Sequence, residues 1–140
     1  MKTVRRLEGV AYWVLSDPGE IRSFINTNVK AEWEQDDRED GDDAKKDEWL
    51  LGLRRRTWGL KKLAAEDIRL ERATVSRRGF LSRLDERSEE MRRAISVYHM
   101  VIWPVVVAGE DLELKDGYCR LATLKKLGVR KVLAYVGTLR

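Results

Sequence analysis

The sequence predicts an α+β fold in which helices pack on a small mixed β-sheet, preceded by a mostly helical N-terminal extension. Two β-branched runs, at residues 105–107 and 131–136, flank residues 121–127, where leucine recurs at helical spacing. Apolar residues make up 43% of the 140 residues, which is enough for a core in one domain of ordinary size. We therefore expect an extension at residues 1–56 and a compact domain at residues 57–140.

The extension is predicted to contain a strand, a helix and an acidic loop. Residues 10–15 are β-branched and aromatic, which favours a strand. Asp17 followed by Pro18 is typical of a helix start, and apolar residues at helical spacing predict a helix over residues 19–32. Residues 32–48 hold ten Asp and Glu against three Lys and Arg, which predicts a solvated loop.

A further helix is predicted at the end of the extension, over residues 49–56, with Asp47 as its cap. It ends in three consecutive arginines, residues 54–56, for which two interpretations stay open. They stabilise the carboxyl end of the helix through its dipole, or they form a phosphate-contacting patch beside Trp58.

The compact domain is predicted to open with a strand at residues 58–63 and to continue into a long helix. Apolar residues recur on one face of residues 84–100, and this face includes Tyr98. Ser82 or Asp85 can cap the start of this helix.

A hairpin, a short helix and a strand are predicted to complete the domain. Pro104 cannot donate a ladder hydrogen bond, so the first strand of the hairpin begins near it. Residues 108–111 form the turn and residues 112–114 the returning strand. Residues 118–127 form the helix, which ends at Gly128, and the second β-branched run forms the last strand.

Composition excludes several classes of function. No window of 18 apolar residues exists, so we expect no membrane partner. A single cysteine cannot form an internal disulfide, which favours a reducing, cytoplasmic compartment. Residues 71–140 carry a net charge of +5 and residues 1–70 a net charge of −1. The positive half suits a phosphate-bearing partner, and a mildly basic soluble surface is the alternative.

The predicted functional site is the turn formed by Asp116, Gly117, Tyr118, Cys119 and Arg120. A glycine between a strand and a helix lets a ligand approach the backbone, and the first amides of a helix attract anions. Arg120 lies in the first helical turn, where it can neutralise a phosphate, and Asp116 can hold a magnesium ion or accept a proton. The alternative is that Asp116 caps the helix and Arg120 is a surface charge. No metal site is predicted within the protein itself.

This part of the chain resembles the ParB/sulfiredoxin superfamily. The likeness lies in the Pro-Val-Val-Val strand at residues 104–107, a hairpin, the Gly-x-x-Arg box at residues 117–120 and the helix that ends in Leu127 and Gly128. It covers about 80 residues, from Trp58 onwards, and implies a ParB N-terminal-like fold.

The resemblance implies a role for each residue of the turn. Members include partition proteins that bind CTP, sulfiredoxins that use ATP and kinases that phosphorylate free serine. Gly117 and Arg120 match their phosphate contacts, with Tyr118 and Cys119 between them, and Asp116 matches the acidic, catalytic position of the kinase-like members. Partition proteins carry paired arginines where this chain has Arg120 alone. Cys119 occupies the position of a histidine.

Other side chains are weaker candidates. A catalytic base would come from another element, and Glu66, Asp67, Glu89 and Glu90 are candidates that the sequence does not separate. His99, the only histidine, is either structural or turned towards the site. The thiol of Cys119, at a helix start beside an arginine, is either reactive or a half-buried small residue.

The sequence thus predicts a nucleotide-phosphate-binding protein, either an ATPase or a small-molecule phosphotransferase, that takes ATP, ADP or CTP with Mg²⁺. The alternative is a DNA-associated ParB-like protein without catalysis, in which clustered basic residues contact phosphates. A third hypothesis is an interaction module that uses the acidic loop with Trp33, Trp49 and Trp58. The extension could cover the nucleotide cleft or form a homodimer.

Overall fold

The computed structural model describes residues 1–29, 52 and 55–140. The predicted acidic loop at residues 32–48 and most of the predicted helix at residues 49–56 lie outside the described residues. The six strands are β1 (Thr3–Leu7), β2 (Val10–Val14), β3 (Arg56–Ala64), β4 (Val105–Ala108), β5 (Leu114–Asp116) and β6 (Lys131–Leu139). The helices are α1 (Pro18–Phe24), which continues as a π-helical turn (Ile25–Val29), α2 (Arg72–Val75), α3 (Phe80–Tyr98) and α4 (Tyr118–Lys126). A short 3₁₀ turn, Ala65–Asp67, follows β3.

The central sheet has the strand order β3-β6-β4-β5, in which β4 runs parallel to β6 and the other neighbouring pairs are antiparallel. Side chains alternate along a strand, so each face of this sheet carries its own core. Val105 and Val107 belong to one buried cluster with Leu121 and Leu124 of α4. Val106 belongs to a second cluster, which α1 and its π-helical turn complete. The predicted α+β class, with helices packed on a mixed sheet, is confirmed.

The beginning of the chain forms a two-stranded hairpin of β1 and β2, which has a tight turn at Glu8 and Gly9. The sequence predicts the second strand but not the first. Because β1 is exposed along most of its length, it has no apolar alternation that would reveal it. The sequence feature that marks the turn is the glycine at position 9, directly after Glu8. Both residues have positive φ, which is typical of a two-residue hairpin.

The helix after this hairpin begins as predicted. The Asp17 side chain accepts a hydrogen bond from the Glu20 amide at 3.0 Å, and Pro18 occupies the first turn. Ile21, Ile25 and Val29 of the predicted apolar stripe are buried.

The long helix α3 begins four residues earlier than the sequence predicts. Gly79, with φ 72°, precedes its first residue, and neither Ser82 nor Asp85 caps it. The physical reason is tertiary, because the Phe80 ring packs edge-on against the Tyr118 ring at 5.6 Å and holds the first turn in place. Tyr98, which lies at the end of the predicted apolar face, has a side chain that is 80% exposed.

The hairpin before the candidate site also differs from the prediction. The returning strand is Leu114–Asp116, two residues later than expected. Leu112 has φ 57°, and its amide bonds to the carbonyl of Ala108 at 2.9 Å, so it belongs to the turn. The shift makes Asp116 a strand residue, paired with Val106, and delivers it directly to the turn.

Candidate functional site

The predicted functional turn joins β5 to α4 and is built around Gly117. This glycine has φ 101° and precedes the first residue of α4. A Cβ atom at this position would lie 2.8 Å from Nη2 of Arg120 and 2.8 Å from Cγ1 of Val105. Only glycine combines this backbone conformation with such close packing, so the arginine lies directly against the backbone of the turn.

Asp116 and Arg120 form an ion pair across this glycine. Oδ2 of Asp116 accepts a hydrogen bond from Nη2 of Arg120 at 2.6 Å, and the two side chains are 19% and 17% exposed. The Nε of Arg120 is buried and has no hydrogen-bond partner in the described part of the chain. The guanidinium therefore keeps one shielded donor that a ligand oxygen could satisfy.

Tyr118 ties the turn to the segment before α2. Its hydroxyl accepts a hydrogen bond from the Glu71 amide at 2.9 Å and donates one to the Leu114 carbonyl at 3.3 Å. Burial raises the pKa of Tyr118 above its ordinary value. The hydroxyl is thus a structural group that holds three segments together.

Lys115 lies between two carboxylates beside this turn. Its Nζ is 2.6 Å from Oε1 of Glu113 and 3.8 Å from Oε2 of Glu71, and the Lys115 and Glu71 side chains are each about 15% exposed. Lys115, Glu113 and Glu71 thus form a half-buried group beside the turn, separate from the Asp116–Arg120 pair. No local pattern in the sequence points to Glu71, because nothing in its spacing links it to a turn 45 residues later.

The amino end of α4 provides the remaining donors of the site. The Leu121 amide bonds to the Gly117 carbonyl at 2.8 Å, so the amides of the three preceding residues have no acceptor within the helix. One of these residues, Cys119, is half-buried and unbridged, and its carbonyl accepts a hydrogen bond from the Thr123 hydroxyl at 2.7 Å. All five residues of the predicted turn are therefore brought together.

Two of the candidate catalytic bases, Glu66 and Glu89, are held elsewhere. Glu66 lines a cleft near the carboxyl end of α4. Glu89 pairs with Arg92, and its Oε2 lies 3.6 Å from Nζ of Lys126, which is the last residue of α4. His99 is exposed after the last residue of α3, and none of its contacts in the described ranges is a hydrogen bond or ion pair to the turn. Glu71 is the upstream carboxylate that the fold places near it.

The carboxylates at and beside this turn are already paired with cations. Within residues 1–29, 52 and 55–140, no group of three or more His, Cys, Asp and Glu side chains is arranged to hold a metal ion. Asp116 is bonded to Arg120, and Glu71 and Glu113 face Lys115. The side chains present therefore do not fit a resident Mg²⁺ ion.

Two predicted surface residues are buried instead. Arg56 is the first residue of β3 and only 5% exposed, so it belongs neither to a helix end nor to a phosphate-contacting patch. Trp58 is 2% exposed and packs in the second core cluster, which removes it from the predicted interaction surface. Trp33 and Trp49 lie outside the described residues.

Two solved structures that are similar to this chain are of one kind. The chain is similar to ParB N-terminal domains. A pNOB8-like ParB N-domain in a C2221 crystal form is 19% identical, with a TM-score of 0.45 over 60% of this chain and 30% of that chain. A second pNOB8-like ParB N-domain structure is 21% identical, with a TM-score of 0.44 over 61% of this chain and 29% of that chain.

At 19% and 21% identity, this likeness concerns the fold alone. The match spans about 30% of their length. No protein-family profile matches the chain. No curated protein matches it either. Among the described residues, no helix is both long and apolar enough to cross a membrane.

Proposed function

We propose that this chain binds the phosphate group of a nucleotide at the turn from Asp116 to Arg120. The observation that carries the proposal is Arg120, whose guanidinium lies against Gly117 with a buried Nε that has no partner among the described residues. A buried donor without a partner is costly. A phosphate oxygen is the acceptor that suits a guanidinium best.

The backbone beside Arg120 supports the same ligand. The first amides of α4 point out of the helix, and the helix dipole favours an anion at this end. Gly117 has no side chain, which lets the Arg120 guanidinium lie directly beside these amides. The side chain of Arg120 and these amides can therefore converge on one anion.

Phosphoryl transfer or hydrolysis, the reactions predicted from the resemblance, needs more than a phosphate contact. The role of Asp116 as a catalytic group stays a prediction, since its carboxylate bonds to Arg120 in the free protein. Any Mg²⁺ would enter with the nucleotide, because the side chains at the turn do not fit a resident ion. ATP, ADP and CTP are the candidate ligands.

A thermal-shift screen of ATP, ADP, CTP and GTP tests the proposal. Saturation at 100 times the dissociation constant should add about 2.7 kcal/mol to the free energy of unfolding. We expect a shift with at least one nucleotide, loss of the shift in Arg120→Ala and partial retention in Arg120→Lys. Arg92→Ala is the matched control, because it removes the same charge from an exposed helix position. Absence of a shift with every nucleotide would refute the proposal.

We propose DNA association as a second candidate function, favoured by a different observation. A cleft of about 570 Å³ opens near the carboxyl end of α4, with Lys125, Arg130 and Lys131 among its lining residues. All three are exposed. Such a surface suits a phosphate backbone, and its affinity should fall steeply with salt. A salt titration of DNA binding, compared between the wild type and Arg130→Ala with Lys131→Ala, tests this candidate.

The predicted homodimer and the predicted cytoplasmic location stay predictions. The division at residue 56 also stays a prediction. Residues 10, 12 and 14 of the N-terminal hairpin share a buried cluster with the central sheet. Sedimentation of the full chain at several concentrations would decide the oligomeric state.

A further inference from the structure

We infer that Asp116 acts as an internal competitor, which holds Arg120 until the phosphate of the ligand replaces it. The inference rests on the proposed phosphate site and assigns Asp116 a different role in it. In this role Asp116 does not assist the ligand. It holds the Arg120 guanidinium and so weakens the binding of the phosphate.

The geometry of the pair supports this role. The carboxylate of Asp116 and the guanidinium of Arg120 are 2.6 Å apart, and Gly117 lies between the two residues in the sequence. Both side chains are less than one fifth exposed, so solvent screens their attraction only in part. A phosphate that takes Nη2 of Arg120 must therefore displace the carboxylate or accept a poorer geometry.

The neighbourhood of the glycine makes Arg120 the cation that a ligand at the turn would meet. Its guanidinium is what a Cβ atom at Gly117 would touch. Neutralising Asp116 would remove the carboxylate that holds this guanidinium and leave Arg120 for the ligand.

The substitution Asp116→Asn separates this role from the roles predicted from the sequence. If Asp116 held a metal ion with the nucleotide or acted as a base, Asp116→Asn would weaken binding in Mg²⁺ or abolish turnover. If Asp116 competes for Arg120, Asp116→Asn should bind nucleotide and pyrophosphate more tightly. The two roles predict effects of opposite sign on the same dissociation constant.

The experiment is calorimetric titration of the wild type, Asp116→Asn and Asp116→Glu with ADP, ATP and inorganic pyrophosphate at fixed ionic strength. We expect Asp116→Asn to tighten binding about tenfold, the effect of removing one charge-assisted competitor. Asp116→Glu should stay near the wild type. Asp85→Asn is the matched control, because it removes a carboxylate that pairs with Lys126 at the other end of α4, at 2.9 Å.

Each outcome decides the inference. Tighter binding in Asp116→Asn with no change in Asp85→Asn supports it. Equal or weaker binding in Asp116→Asn, while the wild type binds normally, overturns the inference and leaves the proposed phosphate site standing. If neither the wild type nor Asp116→Asn binds any of the three probes, the proposed function and the inference both fail. Circular dichroism of each variant verifies that it is folded.

Discussion

The guanidinium of Arg56 donates two hydrogen bonds to the carboxylate of Glu110, from Nη1 at 2.8 Å and from Nη2 at 2.7 Å. Nη1 also donates to the Gly137 carbonyl at 2.7 Å. One side chain therefore fastens the start of β3 to the end of β6 and to the loop between β4 and β5. This pair joins the β4–β5 loop to the end of the sheet where its two longest strands, β3 and β6, are paired.

The first prediction concerns this pair and pH. The hydrogen bonds from Arg56 lower the pKa of Glu110 from 4.5 to about 2. A depressed pKa means that the pair stabilises the fold above pH 4.5 and that this contribution disappears as the pH falls through about 2. Glu110→Gln should lower the free energy of unfolding at neutral pH by about 1–2 kcal/mol, a modest value because the carboxylate is partly exposed.

Urea unfolding of the wild type and Glu110→Gln between pH 7 and pH 2 measures this effect. The two unfolding midpoints should converge at the acidic end. Glu66→Gln, at an exposed carboxylate, is the control and should follow the wild type throughout. A constant difference between the wild type and Glu110→Gln across the whole range would contradict the prediction.

The second prediction concerns the packing of Trp58 on β6. A Cβ atom at Gly137 would lie 2.7 Å from two atoms of the buried Trp58 ring, so Gly137→Ala should destabilise the protein by about 1–3 kcal/mol. Gly59→Ala is the matched control, since Gly59 is the next residue of β3 and has open space around it. Thermal melts should show a lower midpoint for Gly137→Ala than for Gly59→Ala, and equal midpoints would count against the packing.

The third prediction separates backbone strain from close packing at the candidate site. Gly117 and Gly128 both have positive φ, at 101° and 77°, so alanine at either position should cost about 1 kcal/mol. Only at Gly117 would the added Cβ also meet Arg120 and Val105. Gly117→Ala should therefore be the more destabilising substitution by denaturant titration. Similar losses for both would mean that the guanidinium moves aside easily.

The fourth prediction concerns the hydroxyl of Tyr118. Tyr118→Phe removes the acceptor of the Glu71 amide and the donor to Leu114, and should cost about 1–2 kcal/mol. Tyr98→Phe, at a side chain that is 80% exposed, should cost almost nothing. Hydrogen exchange at the Glu71 amide gives a local readout and should accelerate in Tyr118→Phe alone. Unchanged protection of that amide would show that the hydroxyl does not hold the segment.

The local order of residues was sufficient to locate the candidate site. A strand, a glycine and a helix that begins at once predict a turn with free amides and with an arginine in the first turn of the helix. No local pattern in the sequence predicts which distant residues are buried or lie beside the turn. Glu71 reaches it because Tyr118 bonds to its amide, and the burial of Arg56 depends on Glu110, 54 residues later.

By itself, the sequence determined the α+β class, the capped start of α1, the strands of the central sheet and the turn from Asp116 to Arg120. These features follow from periodicity, capping and turn chemistry, which act over a few residues. Only the tertiary structure decided where α3 begins, through the contact of Phe80 with Tyr118, and that Arg56 is buried beside Glu110. Long-range packing depends on which distant segments the fold brings together, and no local pattern in a single sequence records it.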